Sequence, residues 1–87
     1  MNETMASLEV TDADKLKTVI TRTANLGQVA SAQEDTYLYT GKTLAHQCDV
    51  LVQVKMGDEK ATITVNCEKI VIGSMLIKDI KLALSSS

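Results

Sequence analysis

Asp49-Val50-Leu51-Val52-Gln53-Val54-Lys55-Met56, followed beyond Gly57-Asp58-Glu59-Lys60 by Ala61-Thr62-Ile63-Thr64-Val65-Asn66-Cys67, decides the fold. Successive strand residues point to opposite faces, so Val50, Val52, Val54 and Met56 share one side and mostly polar residues the other. In the second segment Ala61, Ile63, Val65 and Cys67 alternate with Thr62, Thr64 and Asn66. With residues 57–60 as the loop, Met56 faces Ala61, Val54 faces Ile63, Val52 faces Val65 and Val50 faces Cys67. A one-residue slip would put every apolar side chain on the wrong face, so the agreement fixes the register of a hairpin. Its other face, with Gln53, Lys55, Thr62, Thr64 and Asn66, is left to water or a partner.

Outward from the hairpin, the sequence changes period after Cys67. Leu76, Ile77, Ile80, Ala83 and Leu84 recur at helical spacing, predicting a helix from Gly73 or Ser74 to about Leu84, with Ser85-Ser86-Ser87 frayed. Upstream, Leu16, Val19, Ile20 and Ala24 form the apolar stripe of a first helix. Thr11 is its expected cap, with Asp12 and Asp14 in its first turn, and Asn25-Leu26-Gly27 its expected end. Thr36 to Leu44 reads as a strand rich in β-formers. Gln28 to Ala32 is a weaker strand, Gln33-Glu34-Asp35 a polar turn, and Met5, Leu8 and Val10 mark a short edge strand. The expected class is therefore α+β: an antiparallel sheet of about four to five strands with two helices packed on one face, one domain over 1–87.

Composition narrows the function. An 87-residue chain buries about 60–65% of its unfolded surface, enough for one small core. Two Tyr, no Trp and no Phe leave that core to Val, Ile, Leu, Ala and Met. The net charge of −2, with signs interleaved, gives no basic patch for nucleic acid. No apolar run approaches the roughly 20 residues that span a bilayer, and the N-terminus carries acids where a secretory signal carries lysines. The expected setting is cytoplasmic, and Asn2-Glu3-Thr4 is then a chance match to a glycosylation acceptor.

Chemistry-bearing residues are few. Cys48 and Cys67 continue the inward parity of their strands and read as buried, reduced thiols. His46 near Cys48 raises a zinc site, but three ligands without a paired C-x-x-C do not make one. A small enzyme using Cys48, His46 and Cys67 is the reactive alternative, yet no nucleophile–base pattern or phosphate-binding loop is present. Asp58-Glu59 falls in a hairpin turn, where acids serve geometry and solubility. No catalytic residue, metal or cofactor is expected. The facing of Tyr37 and Tyr39 is open, because it depends on loop length at Ala45-His46-Gln47. Inward they are core; outward they are the large amphipathic side chains available to hold a ligand.

Asn66-Cys67-Glu68-Lys69-Ile70-Val71-Ile72-Gly73-Ser74-Met75-Leu76-Ile77-Lys78-Asp79-Ile80-Lys81 resembles the extreme C-terminus of the β subunit of the third clathrin-associated adaptor complex. Met1-Asn2-Glu3, Gly41-Lys42-Thr43-Leu44 and the strand from Val50 match more loosely. The resemblance implies the platform part of an adaptor appendage, or ear, built of antiparallel sheet and helices. It implies a non-catalytic role in a vesicle coat that moves cargo from endosomes and the trans-Golgi towards lysosomes. Expected partners are accessory or regulatory proteins bound through short peptide motifs, and other adaptor subunits reached through the rest of the parent chain. Neither nucleic acid nor direct membrane insertion is expected, only peripheral association with Golgi and endosomal vesicles. Other adaptor platforms anchor peptides with Trp and other aromatics, and this chain has no Trp or Phe, so those residues do not carry over. Tyr37, Tyr39 and Lys42 are the candidate protein-binding residues. The alternative is a small α+β domain that docks a permanent partner through its polar sheet face or an exposed strand edge.

Overall fold

The computed structural model describes residues 2–42 and 47–86, and the side chains of all of these except 30–33. Five strands and two helices follow in the order β1 (Asn2–Leu8), α1 (Ala13–Thr23), β2 (Gly27–Gln33), β3 (Thr36–Lys42), β4 (Asp49–Met56), β5 (Ala61–Cys67) and α2 (Ile70–Ser86). The strands form one sheet in the order β1-β5-β4-β3-β2, and every neighbouring pair is antiparallel. The expected continuation of β3 to Leu44 and the connection through His46 lie outside the described residues.

The central hairpin has the register that the valine parity demands. Met56 pairs with Ala61, Val54 with Ile63, Val52 with Val65 and Val50 with Cys67. Val50, Val52, Val54, Ala61, Ile63, Val65 and Cys67 are all buried, while Leu51, Gln53 and Lys55 are exposed. The four-residue loop closes where the Gly57 N–H donates to the Lys60 carbonyl at 2.8 Å. A Cβ on Gly57 would lie 2.8 Å from that carbonyl oxygen, so the turn requires glycine for close approach.

Helix α1 carries the chain from β1 at one sheet edge to β2 at the other. Its cap is Asp12, one residue later than expected, with the carboxylate Oδ1 accepting from the N–H of Asp14 (3.0 Å) and Lys15 (3.2 Å). Leu16, Val19, Ile20 and Ala24 are buried as their spacing requires. The left-handed residue that ends the helix is Asn25, with φ of 55°, and Gly27 instead opens β2.

Helix α2 begins at Ile70, three residues before the earlier of the two expected starts. Ile70-Val71-Ile72 reads as extended because it is β-branched, but the N–H groups of Ile72 and Gly73 both donate to the Lys69 carbonyl, which makes this run the first helical turn. The helix also runs past Leu84, and the Ser86 hydroxyl donates to the Leu82 carbonyl at 3.0 Å. Ile72, Gly73, Leu76, Ile77 and Ile80 face the core. α2 lies over β1 and β5 beside α1, so both helices cover the valine face.

The contact surface of helix α2 and strand β1

Gly73 sets how closely α2 approaches the sheet. A Cβ there would lie 3.0 Å from Thr4 Oγ1 and 3.6 Å from a Val65 methyl, so the helix backbone rests directly on β1 and β5. The Thr4 hydroxyl is buried beneath it without a hydrogen-bond partner. Further along, Lys81, Leu84 and Ser85 adjoin Ser7, Leu8 and Glu9. α2 therefore runs alongside β1 in the same direction: residues 73 to 84 advance ~17 Å along the helix while residues 4 to 8 advance ~13 Å along the strand.

Two features of this corner are left open. The first is the side of α2 turned away from the core, where Val71 (64% exposed), Met75 (46%) and Leu82 (57%) recur along one stripe, with Ile70 beside them. An ordinary surface helix is polar on that side, as α1 is with Lys15, Lys17 and Thr18. On α2 that side is mixed: Val71, Met75 and Leu82 share it with the exposed Lys78 and Asp79. The second is a pair of shallow depressions of about 370 Å³ each that share Lys81 and Ser85, one along the side of α2 and the other between α2 and the end of β1. Ser74, Ile77, Lys78 and Leu82 line one, and Ser7, Leu8, Glu9 and Leu84 the other.

The residues singled out from sequence are not brought together on one face. Tyr37 and Tyr39 pair with Val54 and Val52 and so point towards the helices. Tyr39 is 2% exposed and belongs to the core; Tyr37 is half-buried at its margin. Burial, and then the charge of neighbouring Tyr37, pushes the Tyr39 hydroxyl above its ordinary pKa, which keeps it neutral. Lys42 has the opposite parity, pairs with Asp49 and is exposed. The inward alternative thus holds for the tyrosines, and Tyr39 has no ring surface to offer a ligand. Cys67 is buried as expected, whereas Cys48 is only partly so, and they form no disulfide. Among the described residues no three His, Cys, Asp or Glu side chains cluster to hold a metal ion, and no helix is long and apolar enough to cross a membrane. His46 lies outside the described residues. The α2 stripe was missed from sequence, although its signal is there: Val71, Met75 and Leu82 lie at i, i+4 and i+11, opposite Ile72, Leu76 and Ile80.

A sheet closed on one face by two helices, with exposed apolar residues on one helix and a strand edge left uncovered, defines a small α+β domain. Comparison with known sequences places it. Residues 1–84 match the family described as "AP-3 complex subunit beta-1, C-terminal domain", and the chain belongs to that family. AP-3 complex subunit beta-2 of Mus musculus is 43% identical over 67 residues, covering 76% of this chain and 6% of the relative. AP-3 complex subunit beta-1 of Mus musculus and of Homo sapiens are each 33% identical over 90 residues, covering 98% of this chain and 8% of each relative. The chain thus spans less than a tenth of the length of these relatives. No solved structure matches it significantly.

Proposed function

We propose that this domain is a protein-interaction module of its adaptor complex, binding accessory or regulatory proteins through short peptide segments while the coat moves cargo from endosomes and the trans-Golgi towards lysosomes. The single observation that carries this reading is the uncovered apolar stripe of α2. Val71, Met75 and Leu82 expose surface that a solvated helix has no reason to keep, and such surface is characteristic of sites that meet another protein. The relatives' names, which place them in the AP-3 complex, supply the setting. Peripheral residence on Golgi and endosomal vesicles follows from that setting, with the other subunits held by the rest of the parent chain.

The test is capture of cytosolic proteins on the 87-residue chain, repeated with Val71→Asp, Met75→Asp and Leu82→Asp combined. All three positions are exposed, so the variant keeps its circular dichroism and melting behaviour. Loss of the specifically captured proteins supports the module. Retention of all of them by the folded triple variant, or capture no greater than on a scrambled-sequence control, ends it.

A further inference from the structure

The two edges of the sheet are built differently. β2, at one edge, shifts register against β3 twice, between Gln28 and Ala30 and again between Ser31 and Gln33. Such bulges twist an edge away from further pairing. β1, at the other edge, pairs with β5 through seven consecutive residues without a shift, and its sequence, Asn2-Glu3-Thr4-Met5-Ala6-Ser7-Leu8, contains no Pro or Lys and one charge. Pro, Lys, bulges and covering elements are the usual protections of an exposed edge, and β1 has none of the first three. α2 does not close it either. It lies over the strand and leaves a shallow depression beside its end.

We propose that β1 accepts an extended acidic peptide as a sixth strand, with the α2 side of this edge receiving its side chains. The proposal rests on the interaction-module reading and names the partner class and place. An added strand satisfies the outward backbone groups of β1, and every second side chain turns towards α2, where Ile77, Leu82 and Leu84 offer apolar contact. The ~13 Å of β1 beside α2 spans about four peptide residues. Charge selects the peptide on the α2 side, where Lys78 and Lys81 stand against the carboxylate of Glu9 (two positive, one negative), while Glu3, paired with Asn66, belongs to the other face of the sheet. Carboxylates on the peptide meet those ammonium groups at the rim.

The experiment is selection from a random dodecapeptide library on the folded 87-residue chain, followed by amide chemical-shift mapping and affinity measurement with the enriched peptides. Expected are peptides rich in Asp and Glu with apolar residues at alternate positions, shifting the amides of residues 2–8 and 74–85. N-methylation of one alternate set of peptide residues should abolish binding, while methylation of the other set is tolerated, because a strand turns alternate N–H groups towards its neighbour. Lys78→Glu with Lys81→Glu, both at exposed positions, should weaken binding about tenfold. Selection that yields no binder overturns the proposal. So does indifference to both methylation sets, or a free chain that dimerises with β1 amides shifting as concentration rises, since a second copy then occupies the edge. Peptides that instead shift Leu51, Gln53 and Lys55 overturn the edge site and leave the module reading standing. Loss of cytosolic capture by the triple α2 variant together with failed selection separates a module that uses folded partners from one that uses peptides.

Discussion

Truncating Ile80 should distinguish the two sides of α2 in one measurement. Ile80 is fully buried, and Ile80→Ala removes three carbons from the core. At ~0.8 kcal/mol per buried methylene the transfer loss is ~2.4 kcal/mol. The residual cavity adds to this, for a total of about 3–4 kcal/mol, inside the range for such truncations. A chain of 87 residues has about 4–13 kcal/mol of stability in all, so the variant loses a large fraction of it. The melting temperature should fall by about 12–30 °C. Leu82→Ala, two positions away on the exposed stripe, should change stability by less than about 0.5 kcal/mol. Urea titration followed by circular dichroism suits a protein without tryptophan. A Leu82→Ala cost equal to that of Ile80→Ala would refute the reasoning, because the outer stripe would then have to be packed within the folded chain itself.

Thr4→Val should raise stability by about 1 kcal/mol in the same titration, since it removes a buried, unpartnered hydroxyl and keeps the branched shape against Gly73. Asp12→Ala should cost about 1 kcal/mol by removing the cap of α1. The raised pKa of Tyr39 has a definite sign: its stabilising share is complete below the unfolded-state value near 10.0 and is lost as pH rises towards the higher folded value. Stability measured between about pH 9 and pH 11.5 should therefore fall less steeply in Tyr39→Phe than in the unaltered chain.

Sequence made the sheet legible where one physical rule sufficed. The alternation in Val50–Met56 and Ala61–Cys67 has one register that puts the alternate apolar residues of both strands on the same face, and no other force competes with it. The tyrosines were legible only as a pair sharing a face. Which face depended on the connection between β3 and β4, and loop length is not written in side-chain pattern. Parity alone did separate Lys42 from Tyr37 and Tyr39, so their grouping gave way to aromatic character where strand geometry should have ruled. Ile70-Val71-Ile72 concealed the start of α2 because β-branched residues favour strands until a preceding carbonyl, here Lys69, captures the next N–H groups. The α2 stripe was overlooked because Lys78, Asp79 and Lys81 lie on the same side of the helix and mark it as polar. Only the structure shows which of its apolar residues α1 and the sheet leave uncovered. The β1 edge required strand order, which pairing at distant positions determines.

Hydroxyl-radical footprinting of the partner-bound domain tests most directly the claim that it meets its partners along α2. Met75 and Leu82 report the outer side of the helix, and Leu51 reports the open face of the sheet. Slower oxidation of Met75 and Leu82 on binding, with Leu51 unchanged, is the predicted result. Protection of Leu51 with Met75 and Leu82 still reacting at the free rate would contradict the account.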